Sequence, residues 1–154
     1  MKIQKLLEYS VKSRATAAPS PAIKKLMGMG PFDNTWVNIL DYGSGRYSPN
    51  ADYMRDLGLK VYSFDPHFGA SPDGWKGVSK QRPHKTFDFA ITTFLLDRLD
   101  EEALEDALMV CESLANKSIQ IVRKNKNEKN NINLEPYNYK ILANKSGNYI
   151  IYEK

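Results

Sequence analysis

The residues best equipped for chemistry lie in one stretch, Asp41-Tyr42-Gly43-Ser44-Gly45, which closes the apolar run "WVNIL". Two glycines one residue apart let the backbone turn sharply and approach a ligand with no Cβ in the way. A third glycine, which packs a helix beside a dinucleotide's pyrophosphate, would fall where Ser48 stands. Asp41 argues in the same direction. Its carboxylate would repel a diphosphate, since like charges roughly 4 Å apart cost about 4 kcal/mol at an effective dielectric of about 20. It would attract an ammonium. A zwitterionic nucleoside such as S-adenosylmethionine meets both conditions, carrying an ammonium, a sulfonium and a carboxylate but no phosphate. A nicotinamide cofactor and a plain tight turn stay open as alternatives.

Asp65 ends a second apolar run, 24 positions after Asp41. A carboxylate at such a strand end can accept hydrogen bonds from both ribose hydroxyls. A third apolar run, "FDFAITTF", ends at Thr93 and Phe94. His67 and His84 are the only histidines and lie in a loop-like segment, which makes each a candidate base. Cys111, the single cysteine, sits in "ALMVCESLA" and reads as a core thiol; no internal disulfide is possible. No His, Cys and Asp grouping has metal-ligand spacing, and no phosphate loop or Ser-His-Asp order is evident.

These residues need a scaffold. "IQKLLEYSV", residues 3–11, has the spacing of a short amphipathic helix, and "PAIKKLMG" that of a second, with Pro21 at its start and Gly28 past its end. "WVNILDYG", "LKVYSFD", "FDFAITTFLL" and "SIQIVR" read as strands rich in β-branched and apolar residues. Ser48-Pro49 reads as the N-cap and first residue of a helix ended by Gly58, and a longer helix is expected from about Asp100 to Asn116. "YNYKILANKSGNYIIYEK" reads as a terminal hairpin. The order implies a three-layer α/β fold, with a mostly parallel sheet and an antiparallel hairpin at one edge. One domain is expected over 1–154, with a helical cap over 1–34 and the α/β core over 35–154.

The totals bound the rest. The chain has 154 residues, 42% hydrophobic and 26% charged, near globular averages. No apolar run approaches a membrane span, and the N-terminus lacks a secretory signal's apolar core, so a cytoplasmic protein is expected. The net charge of +4 gives mild attraction to polyanions. Basic residues cluster in the first 25 positions (Lys2, Lys5, Lys12, Arg14, Lys24 and Lys25) and again from Arg123 to Lys129. A nucleic acid gripped by the N-terminal segment is therefore one candidate partner.

"ILDYGSGRY" resembles the first motif of the class I S-adenosylmethionine-dependent methyltransferases, and "VYSFDP" their second-strand motif with its ribose-binding acid. "FDFAITTFLLDRL" is similar to their fourth-strand motif and "ANKSIQIVRK" to the strand after the next helix. More narrowly, "KSRATAAPSPAIKKL" ahead of "ILDYGSGR", with "FDPHFG", resembles methyltransferases associated with DNA phosphorothioation systems. The resemblance spans about residues 12–123 and implies a Rossmann-like fold that transfers a methyl group. It implies S-adenosylmethionine held by Asp41, Gly43, Ser44, Gly45, Asp65, Thr93 and Phe94.

The departures are specific. Family members commonly have glycine where Tyr47 stands, and they insert a helix and a third strand between Asp65 and Asp88. Here 22 residues intervene. A trimmed fold without that edge strand is expected, with Phe68 or Trp75 building the adenine pocket. Amino-methylating DNA enzymes carry an Asp/Asn-Pro-Pro-aromatic motif where this chain has Thr92-Thr93-Phe94-Leu95. Methyl transfer relies on alignment more than on acid–base groups, so the catalytic candidates reduce to Thr93, Phe94 and His67. Two further readings share the fold: a non-catalytic module that binds S-adenosylmethionine or a partner, and an enzyme that degrades S-adenosylmethionine.

Overall fold

The computed structural model describes residues 18–29, 32, 36–84, 86–124, 131–145 and 148–154. The helix expected over 3–11, and the basic residues Lys2, Lys5, Lys12 and Arg14, lie outside these.

Helix α1 spans Pro21–Met27, with Ser20 as N-cap accepting from the Ala22 N–H. Strand β1 (Asn38–Tyr42) is followed by α2 (Pro49–Asp56), β2 (Lys60–Phe64) and the two-residue β3 (Val78–Ser79). Then come β4 (Phe87–Thr93), α3 (Glu101–Leu114), β5 (Ala115–Arg123) and the hairpin β6 (Lys140–Lys145) and β7 (Tyr149–Glu153). Asp100 caps α3 by accepting from the Ala103 N–H at 2.9 Å, and Glu101 and Glu102 suit the positive end of its dipole.

The seven strands form one sheet in the order β3-β2-β1-β4-β5-β7-β6. Strands β1 to β5 pair in parallel, and β7 runs antiparallel to both β5 and β6. The expected parallel sheet with its hairpin edge is present. One expectation is corrected: the third strand exists, because Val78 and Ser79 pair with Ser63 and Phe64 at the sheet's edge.

Alternation along the strands splits the core between two faces. Ile39, Val61, Ile91 and Ile121 pack with Ile23 and Leu26 of α1 and with Met54 of α2. Leu40, Tyr62, Phe64 and Ala90 pack on the other face with Cys111 of α3. A buried polar chain ties β4 to β5 and α3. Thr92 Oγ1 donates to Gln120 Oε1, and Gln120 Nε2 to Ser118 Oγ at 3.0 Å. Ser118 Oγ meets the Tyr139 hydroxyl at 2.6 Å, and that hydroxyl donates to Glu112 at 3.2 Å. At the amino edge of the parallel strands, the backbone N–H and C=O of Lys154 pair with those of Ser118, both at 2.9 Å.

Candidate functional site

The chain leaves β1 for β2 and β3 on one side and returns to β4 on the other, so the topological switch lies between β1 and β4. Ligands of open α/β sheets bind outside the strands' carboxyl ends at that point. Gly43 and Gly45 stand there with φ of +75° and +78°, left-handed values that favour glycine. A Cβ at Gly43 would lie 2.8 Å from Leu95, whereas at Gly45 it would meet nothing within 4 Å. Gly43 thus serves packing from below, and Gly45 leaves open space above.

Asp65 organises the neighbouring strand end. Its Oδ2 accepts from the Gly45 N–H at 2.9 Å, and its Oδ1 from the N–H groups of His67 and Phe68 at 2.9 and 3.0 Å. An ionised carboxylate offers about four lone-pair directions, so three are already committed. Asp65 is 5% exposed and is not among the residues that line the cavity at the glycine turn, so accepting both ribose hydroxyls, as the sequence suggests, requires the Gly45 N–H to move away.

A cavity of about 450 Å³ opens at this edge, within the usual range for small-molecule sites. Asp41, Gly43, Ser44 and Gly45 line it, with Thr93 and Phe94 at and just past the end of β4 and Ala18 to Pro21 leading into α1. Asp41 is 2% exposed, and its Oδ2 has no hydrogen-bond partner. Burial pushes its pKa up to about 7; the Arg55 guanidinium pulls it down by less, and the charges of Asp65 and Asp52 push it up further. Ser44 Oγ and Thr93 Oγ1 are likewise buried without partners. An unsatisfied buried polar group costs about 1–3 kcal/mol. Three on the wall of one cavity mark a surface shaped to receive polar groups.

Backbone strain collects in the same place. Among the described residues Ser48, Phe94 and Asn138 are the non-glycines with positive φ, and Ser48 (φ 40°) and Phe94 (φ 55°) both line the cavity. Ser48 stands at the N-cap of α2 with Pro49 as its first residue, as the sequence implies, but in its left-handed backbone it makes no side-chain capping bond. Phe94 lies beneath the Arg123 guanidinium, 4.4 Å from ring centroid to Cζ. The Arg123 N–H donates to both carboxylate oxygens of Asp97, at 3.1 and 3.2 Å.

The remaining candidates divide. His67 and Phe68 line an adjoining cavity that meets the first at Arg46, whose guanidinium lies 5.5 Å from the Phe68 ring. Trp75 and His84 line a different cavity with Tyr62 and Phe87, on the α3 face of the sheet. Trp75 and His84 therefore do not line the cavity of Asp41 and the glycine turn, and edge-to-face packing of Trp75 on Tyr62 fixes the loop on that side. Tyr47 lines the cavity and is 55% exposed. Cys111 is fully buried, which pushes its thiol up to about 12 and leaves it inert at neutral pH. Among the described residues no His, Cys, Asp and Glu group could hold a metal ion, and no helix is long and apolar enough to cross a membrane. Arg98 and Arg123 also line the cavity; from sequence Arg123 reads only as part of a basic cluster, and neither reads as a site residue. The available signal was that Arg123 ends the strand "SIQIVR" at the carboxyl edge.

No protein-family model matches the chain, and no curated protein resembles it significantly in sequence. Solved structures do resemble its fold. The 1,6-didemethyltoxoflavin-N1-methyltransferase of Burkholderia thailandensis, with bound 1,6-didemethyltoxoflavin and S-adenosylhomocysteine, aligns with a TM-score of 0.66 at 14% identity, over 98% of this chain and 83% of that one. The magnesium protoporphyrin IX methyltransferase of Synechocystis PCC 6803, with bound S-adenosylmethionine, aligns with a TM-score of 0.59 at 15% identity, over 86% and 74%. The chain has the Rossmann-like fold of S-adenosylmethionine-dependent methyltransferases.

Proposed function

From that fold, we propose that the chain is a small S-adenosylmethionine-dependent methyltransferase. The observation that carries this is the set of partnerless buried atoms on one cavity wall: Asp41 Oδ2, Ser44 Oγ and Thr93 Oγ1. A carboxylate and two hydroxyls suit an ammonium and a carboxylate, and a buried carboxylate opposes a diphosphate. S-adenosylmethionine would supply an activated methyl group on a sulfonium. Asp41 would receive the ammonium, Ser44 and the Gly45 backbone the amino-acid end, and Asp65 a ribose hydroxyl. Thr93 and Phe94, at the switch point, would border the reacting centre. Their role is alignment and exclusion of water, which is most of what such a transfer asks of a protein. His67 lines the adjoining cavity, which makes it a weaker candidate than Thr93 or Phe94.

The acceptor is either a nucleic acid, as the resemblance to phosphorothioation-associated methyltransferases implies, or a small molecule. A second reading, a non-catalytic binding module, draws on one observation: the Asp65 carboxylate already holds three backbone N–H groups.

Calorimetric titration tests both readings. S-adenosylmethionine and S-adenosylhomocysteine should each bind at one site, and NAD should not. Absence of nucleoside binding would overturn the methyltransferase reading and leave the partner-binding module.

A further inference from the structure

We propose that Asn50 is a positioning residue that latches the segment Ala18–Pro21 to the start of α2, and that this latch sets how long a nucleoside ligand stays in the cavity. The inference rests on the methyltransferase reading and deepens it by assigning the residue that governs retention of the ligand.

The order Pro19-Ser20-Pro21 leaves the backbone little freedom. Each proline holds its own φ near about −65° and lacks an N–H, and each keeps the residue ahead of it extended. Ser20 obeys this, with φ −64° and ψ 138°. The tripeptide is therefore stiff and owns a single backbone donor, the Ser20 N–H. That donor goes to Asn50 Oδ1 at 2.8 Å, across 30 positions of chain. The other polar groups of Ser20 serve the helix it caps. Its Oγ accepts from the Ala22 N–H at 3.2 Å, and its carbonyl from the N–H groups of Ile23 and Lys24 at 3.0 and 3.2 Å. One residue thus ties α1 to α2.

Both ends of this bond stand on the cavity wall, Ala18 to Pro21 on one side and Ser48 to Asn50 on the other. Asn50 lies in the first turn of α2, five positions after Gly45. Ser48 between them is 4% exposed in its left-handed backbone, so the start of α2 is fixed relative to the glycine turn. Apolar packing secures the body of α1, since Ile23 and Leu26 are fully buried with Ala51 and Met54 of α2. That packing begins past Pro21. Among the described residues, the hydrogen bond that holds the extended segment ahead of it is the one to Asn50. Breaking this bond lets the segment swing about Pro21 and widens the cavity beside the glycine turn, where the amino-acid end of S-adenosylmethionine would lie. A carboxylate can replace the amide as acceptor, because it suits the positive end of the α2 dipole.

Surface plasmon resonance and amide hydrogen exchange on the full chain test this, with S-adenosylhomocysteine as the probe. Asn50→Ala removes the acceptor and should raise the dissociation rate about three- to tenfold, the effect of losing one neutral hydrogen bond. Asn50→Asp keeps an acceptor oxygen, so its rate should stay within about twofold of wild type. In the ligand-free chain, the Ser20 amide should exchange faster in Asn50→Ala by a similar factor and recover in Asn50→Asp. A purely structural role would lower the melting temperature of Asn50→Ala and leave the dissociation rate alone. Equal dissociation rates in wild type and Asn50→Ala therefore overturn the proposal, as does an Asn50→Asp protein that releases ligand as fast as Asn50→Ala. If S-adenosylhomocysteine binds none of the three while Ser20 exchange still depends on Asn50, the latch stands and the methyltransferase reading falls. Ser20 exchange that is equal in all three overturns the latch itself.

Discussion

The backbone N–H of Gly45 donates to Asp65 Oδ2 at 2.9 Å, so the turn after β1 is fastened to the end of β2 before any ligand arrives. Asp65→Asn would set an amide N–H against either that donor or those of His67 and Phe68. The variant should lose about 1–3 kcal/mol of stability in urea denaturation. Its affinity for S-adenosylmethionine should fall roughly 10- to 100-fold, the equivalent of one charged hydrogen bond. Lost stability with full affinity would remove Asp65 from the ligand's contacts.

Asp41 makes stability and binding depend on pH in opposite ways. Its folded pKa of about 7 lies above the ordinary 3.8, so the folded chain holds a proton that the unfolded chain releases. Stability from this group is therefore lost as pH rises from about 4 to about 7, by about 4 kcal/mol in total. Asp41→Asn carries no such charge. Its stability advantage over the wild type should grow across that window and level off above it, read from melting curves at a series of pH values. An ammonium prefers the ionised carboxylate, so wild-type affinity for S-adenosylhomocysteine should rise toward about pH 7 and the variant's should stay flat. Parallel profiles for the two proteins would contradict this.

Arg55 fastens the short segment that stands in for a missing helix. Its Nη2 lies within hydrogen-bonding distance of the carbonyls of Val61, Gly74 and Gly77, at 3.0, 2.8 and 3.3 Å, and of Ser63 Oγ at 3.0 Å. Arg55→Met keeps the stem and strands these acceptors, at a cost of about 2–4 kcal/mol. Amide hydrogen exchange should accelerate first between residues 66 and 79. Uniform acceleration over the sheet would show that the clamp is not local.

Tyr139→Phe probes the buried polar chain. Ser118 Oγ and Glu112 each lose a partner, and the expected cost is about 1–2 kcal/mol. Nucleoside affinity should not change, because the chain runs on the α3 face. A drop in affinity would mean that the two faces are coupled through β4.

Much of this was legible in the sequence for local reasons. Alternating and continuous apolar runs marked β1, β2, β4, β5 and the hairpin, and the Pro21 and Asp100 signals marked helix starts. Asp41, Ser44, Gly43, Gly45, Thr93 and Phe94 do line one cavity. What escaped was non-local. Strand β3 is two residues whose status comes only from pairing with Ser63 and Phe64. The "FDFAITTFLL" run breaks at Phe94, whose positive φ no local propensity announces. Arg55 looks like any charge on a helix until the carbonyls 19 and 22 positions away close around it. Trp75 sat in a loop with no periodicity to say which side of the sheet would claim it.

The reversal of β7 has a practical side. It brings Lys154 back beside Ser118, at the pole of the molecule opposite the pocket mouth. A dye, a sensor chip or a fusion partner joined after Lys154 would hold the protein by its base with the opening facing outward.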